Sequence, residues 1–314
     1  MSRRKRRSRR AVVSLLLSCA LLWLGFIGCS GAPPAPVPPV KERAAARNRQ
    51  GLAAEARGDR DGAVAAFEES LKLHRSVEDF SGTAVALLNL ARVHRLRGEI
   101  SLAKETIDAA DPLLLPGDPL FPEMAFEKAM IDLATGDLPA AKEWATRAVD
   151  AGKGDASGRM LNLLARILLL EGRGDEARGL AESALAANRK AGARGEEANS
   201  LRLLGDIATA RKDGGRAGEF YAASLSIDKG IAKSGKIAAD LRALGALAAE
   251  GGDTEKALGF YTRAYEVSVN GDDPRGAASA LLEIARLHEK AGAPEKARSA
   301  REEREKLLGG RLTD

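Results

Sequence analysis

The 314-residue chain has two cysteines, Cys19 and Cys29, and both precede residue 30. The remainder has no thiol for a disulfide, a metal cage or a nucleophile. Of the three histidines, His94 and His288 share one repeat slot and His74 stands apart, so no two have metal-ligand spacing. No glycine-rich loop joins a strand to a helix, and no Ser/His/Asp arrangement stands out. The expectation is therefore a non-enzyme with no cofactor, no metal and no small-molecule substrate. Acidic residues are also missing at the front: none of the 44 lies in the first 30 residues, whereas seven of the 49 basic residues do. From residue 31 onward the chain carries 42 basic against 44 acidic residues, net −2. The overall charge of +5 thus belongs to the leader, and nucleic-acid binding loses its main support.

That leader has three parts. A cationic head runs from Arg3 to Arg10, an uncharged apolar run from Ala11 to Ile27, and Gly28-Cys29-Ser30 closes it. Seventeen residues are short for a membrane span, which needs about 20, so a cleaved secretory signal over 1–28 is expected. Phe26-Ile27-Gly28-Cys29 resembles the lipobox of bacterial lipoproteins, with phenylalanine where that family usually has leucine. The resemblance implies lipidation of Cys29 and a membrane anchor. Ser30 after the cysteine implies, by the same analogy, export to the periplasmic face of an outer membrane. Residues 29–40 carry the run Pro33-Pro34-Ala35-Pro36-Val37-Pro38-Pro39, which favours an extended spacer.

Beyond it, seven alanines form a ladder: Ala63, Ala103, Ala141, Ala177, Ala217, Ala257 and Ala297, with steps of 40, 38, 36, 40, 40 and 40. Six have a glycine five residues earlier (58, 98, 136, 172, 252 and 292). A fixed period of this size marks a stack of like units. Around Gly252, Leu241, Leu244, Gly245 and Ala248 share one helical face, and Ala257, Phe260, Tyr261, Ala264 and Tyr265 another. Gly251-Gly252 reads as the stop between them, with Asp253 or Thr254 as the next cap. Small residues at 245 and 257 are expected to let the two helices approach. Gly214-Gly215 reads as another helix stop. The unit around Gly136 is blurred by Lys128 in a core slot, and four prolines between Asp111 and Pro122 predict an irregular loop there.

Leu204-Gly205…Ala217…Tyr221…Ser224 and Leu244-Gly245…Gly252…Ala257…Tyr261…Ala264 resemble the tetratricopeptide repeat, in its long-repeat form of about 40 residues. The resemblance implies an all-α fold: a right-handed α-solenoid of about seven helix pairs over 41–308, without strands, followed by a tail at 309–314. Arg301 and Arg304 suit a solvated last helix. In the family the first helix of each pair lines a concave groove that takes peptides or segments of other proteins. Carried onto this chain, the groove positions are Asn89, Arg92, Arg159, Asn162, Arg166, Asn199, Arg202, Asp206, Arg242 and Arg286. The carboxylate clamp of some relatives is not reproduced: Leu52, Phe126 and Met130 stand where it needs polar groups. Arginine forks bind carboxylates and asparagines bond peptide backbones, so an acidic or C-terminal segment of a cell-envelope protein is the expected partner. A regulator of a cell-wall hydrolase or protease, or a subunit of a secretion, pilus or assembly machine, would use the same fold.

Overall fold

The computed structural model describes residues 38–114, 117–152 and 157–309. The signal, Cys29 and nearly all of the proline-rich segment lie outside the described residues. Fourteen α-helices and one short 3-10 turn make up the described part, with no strand. They pair as α1 (Pro39–Ala56) with α2 (Arg60–Arg75), α3 (Phe80–Arg97) with α4 (Ile100–Asp108), α5 (Phe121–Thr135) with α6 (Leu138–Ala151) and α7 (Ser157–Leu170) with α8 (Gly174–Ala191). The series continues with α9 (Arg194–Ala210) and α10 (Gly214–Gly230), α11 (Ser234–Glu250) and α12 (Thr254–Asn270), and α13 (Pro274–Lys290) and α14 (Pro294–Gly309). The solenoid opens at Pro39, two residues before the expected start.

Each helix packs on the helices that precede and follow it in the chain. First helices also touch first helices, as α1 does α3 and α7 does α9, and no second-to-second contact matches this among the described residues. The odd-numbered helices therefore form the tighter layer and the even-numbered ones the broader layer.

All seven ladder alanines are fully buried. Five residues before each of them the backbone is left-handed, with φ between 61° and 83°. At six positions the residue is glycine; in the fifth pair it is Lys212. That corrects the reading of Gly214-Gly215 as a stop. Lys212 makes the turn, Asp213 caps by accepting from the Arg216 N–H at 3.1 Å, and Gly214 is already helical. Asp253, not Thr254, caps α12. A second left-handed ladder, between pairs, runs through Glu78, Gly192, Ala232 and Asp272. Only one of these is glycine, so it left little trace in the sequence.

The small residues of the first helices have a more specific role than close approach. A Cβ on Gly51, Gly205 or Gly245 would stand 2.5, 2.5 and 2.9 Å from the ring of Phe67, Tyr221 and Tyr261. Glycine there houses an aromatic ring sixteen residues on. Where that residue is Ile107, Ala145 or Ala181, alanine suffices opposite (Ala91, Ala129 and Ala165), and each pair sits in one core cluster. Volume is conserved across the contact, as close packing demands.

The irregular loop shortens α4 to nine residues. Leu114, Leu120 and Phe121 fill the space against Leu88, Ile107, Met124 and Ile131. Lys128 is buried, but its ammonium reaches Asp108 at 2.9 Å and pairs with Asp111, while lying 4.6 Å from the centre of the Trp144 ring. The lysine that blurred the third unit is thus the tie between the loop and α5. In α14 only Ala297 and Ala300 are buried, and Arg301 pairs with Glu289, as a solvated end requires.

Candidate binding groove

The first helices of the third to sixth pairs converge on a cavity of about 370 Å³. Phe126 and Met130 come from α5, Arg159, Asn162, Leu163 and Arg166 from α7, Glu196, Asn199, Arg202, Leu203 and Asp206 from α9, and Lys236 from α11. Residues three and four apart on a helix share a face, so each helix sets a short row of side chains on the groove. A volume of this size with mixed apolar and polar walls suits a side chain or a short segment of a ligand.

Six of the ten sequence candidates line it: Arg159, Asn162, Arg166, Asn199, Arg202 and Asp206. They are not equivalent. Arg202 is committed inside the fold. Its Nε donates to Asp240 at 2.7 Å, its Nη1 to Asn199 at 2.9 Å, and its Nη2 to Ser224 at 3.1 Å and to Asp228. Asp228 and Asp240 are both buried, so this guanidinium ties α9, α10 and α11 together. Arg159 pairs with Glu123 and lies 4.3 Å from the centre of the Phe126 ring. Asp206 opens on the groove and accepts the Tyr221 hydroxyl at 2.7 Å. Desolvation among the packed helices raises its carboxyl above the ordinary range, and burial likewise pushes the Tyr221 hydroxyl up.

The Arg166 side chain makes no hydrogen bond or ion pair among the described residues, and neither does that of Lys236. Lys236 is exposed to solvent yet ringed by helices. Desolvation first, then the neighbouring Arg202, depress its ammonium. Asn162 is buried, its amide N–H reaches the Glu196 carbonyl at 3.5 Å, and its Oδ1 has no donor. That oxygen is sealed from solvent, so what the cavity offers a ligand is two uncommitted cations and an apolar wall. It can take an anion and a hydrophobic group together.

The other four candidates lie elsewhere. Asn89 donates to Asn48 at 2.8 Å and accepts from Arg92 at 2.5 Å, and Arg92 also faces Glu55 at 3.8 Å. Arg286 is exposed and pairs with Glu283 at 2.7 Å. Arg242 is on α11, six residues beyond Lys236, and does not line the cavity. Sequence reasoning missed Lys236 and Glu196. They stand 40 residues apart, in register with the ladder, and that spacing was the available signal. His74 and His94 are buried, with Nδ1 on Asp79 at 2.9 Å and on Glu99 at 2.7 Å across their turns, while His288 is half-buried.

The fold and groove define an all-α repeat solenoid of helix pairs. A family model of the tetratricopeptide repeat matches residues 48–119 and 126–193, so the chain carries tetratricopeptide repeats there. Similar solved structures include a Rap protein complexed with competence and sporulation factor, at TM-score 0.66 and 15% identity over 86% of this chain and 77% of that one. The apo quorum sensor NprR from B. thuringiensis gives 0.61 and 15% over 85% and 77%. Pseudomonas aeruginosa PilF gives 0.51 and 18% over 74% and 94%. At such identities the likeness concerns the fold. No curated protein matches the sequence.

Proposed function

We propose that this protein is a non-catalytic scaffold that holds an extended segment of another protein against its odd-numbered helices. The observation that carries this reading is the cavity whose Arg166 and Lys236 side chains lack partners within the described fold. A peptide supplies what they lack, carboxylates for the cations, and a side chain for Phe126 and Met130. The Rap neighbour was solved with a bound factor, which supports reading this fold as one that holds ligands.

The leader supplies the location: a cleaved signal, a lipid on Cys29, the proline-rich spacer, and a solenoid held off an outer membrane on its periplasmic side. The partners are then proteins of the cell envelope. Two experiments test the two halves. Peptides spanning envelope-protein segments, selected on the wild type, should lose affinity at least tenfold for Arg166→Glu/Lys236→Glu, with helical circular dichroism unchanged. Equal affinity sinks the groove reading. Cys29→Ala should release the protein from membranes; a variant that still fractionates with them at its normal mature size refutes the anchor.

A further inference from the structure

The fifth and sixth pairs stand in register 40 residues apart, so their polar interiors can be compared position by position. In the fifth pair Arg202 is satisfied by Asn199, Ser224, Asp228 and Asp240. Forty residues on stand Arg242, Ala239, Ala264, Ser268 and Ala280. The cation is retained, and both carboxylates and the amide are gone. The Arg242 side chain forms no hydrogen bond or ion pair among the described residues, and its Nη1 is sealed from solvent without a partner. Ser268, in the Asp228 slot, is buried and its hydroxyl is also unpartnered. Glu250 and Glu283 share the surroundings of Tyr261 with Arg242, but neither reaches it, and Glu283 pairs with Arg286 at 2.7 Å.

Arginine cannot shed its charge, and a half-buried guanidinium without a counter-charge is costly. A fork that has lost its internal acids keeps the geometry to receive an external one bidentately. We propose that Arg242 is a carboxylate subsite, in which an acidic side chain of a groove-bound segment supplies the counter-charge that Asp228 and Asp240 supply to Arg202 in the preceding repeat. Only the origin of the carboxylate rests on the groove reading.

The test is the melting temperature of the full chain titrated with sodium acetate, or with N-acetylglutamate amide, against sodium chloride at matched ionic strength. The wild type should show a saturable rise, on the order of 2–4 °C, larger for the glutamate mimic. Arg242→Met should abolish it. Ala280→Asp should abolish it too, because the acid is then built in, and should raise the melting temperature without ligand. Ser268→Asp repeats that arm if position 280 does not accept the larger side chain. Arg166→Glu/Lys236→Glu should keep the acetate response while losing segment binding, which separates this subsite from the groove reading. An equal rise in wild type, Arg242→Met and the aspartate variants, or no rise in the wild type, overturns the proposal.

Discussion

Replacing Gly205 with alanine adds one methyl group at the contact that sets the spacing of the fifth pair. The new Cβ would lie 2.5 Å from Tyr221 Cε1 and 2.7 Å from Cδ1, where ordinary carbon contacts are about 3.5–4.0 Å. The ring must therefore move by roughly 1 Å. It has little room, since Tyr221 is only 4% exposed and its hydroxyl is held by Asp206. Overpacking of this kind costs about 1–3 kcal/mol, against which alanine gains about 1 kcal/mol of helix propensity. The clean measurement is a double-mutant cycle with Tyr221→Ala, read by urea denaturation. Without the ring, Gly205→Ala should stabilise by up to about 1 kcal/mol; with it, the change should be neutral or destabilising, a coupling of about 1–3 kcal/mol. Gly259→Ala is the control, because a Cβ there meets nothing within 4 Å and should stabilise in either background. Equal stabilisation by Gly205→Ala with and without the ring would refute the volume argument.

Lys212→Gly should raise stability by about 1 kcal/mol in urea melts, because only the fifth pair makes its inner turn with a side-chain-bearing residue at positive φ. Arg202→Met should cost about 3–5 kcal/mol, since it strands the buried Asp228 and Asp240 without a counter-charge; the Asp228→Asn/Asp240→Asn background should recover much of that loss. Asp79 is held below the ordinary carboxylate range: burial pushes it up, but the Gly82 N–H, His74 and Lys41 together outweigh burial. Its contribution is present above the ordinary value and fades as pH falls through the lower folded value, so the stability gap between wild type and Asp79→Asn should close in acid melts. Asp206 has the opposite sign. Its raised folded value means stability is lost as pH rises from the ordinary value through the folded one, and Asp206→Asn should flatten that slope.

The repeat architecture was legible because it depends on local, periodic demands. An alanine at each close contact and a glycine at each left-handed turn recur wherever a helix pair recurs, and all seven alanines are fully buried. Legibility failed where another residue met the same demand. Lys212 adopts the glycine conformation, and Glu78, Ala232 and Asp272 do so between pairs, so periodic composition could not reveal them. The loop after α4 was legible from its prolines, but its anchoring was not, because Lys128 and Asp111 are joined only by the turn of the chain.

The groove divides the same way. By itself the sequence placed six of its ten candidates on the cavity wall, since position on a helix fixes direction, and it missed Glu196 and Lys236. Only the tertiary structure decided which of them are available. Arg166 and Arg202 read alike as groove arginines, yet Arg202 is claimed by acids 26 and 38 residues away while Arg166 is left unpaired. The repeat period aligned Arg242 with Arg202, but only the packed neighbours showed that one has its counter-charges and the other does not. Helical periodicity is a property of consecutive residues, whereas charge compensation is a property of whatever three helices bring together.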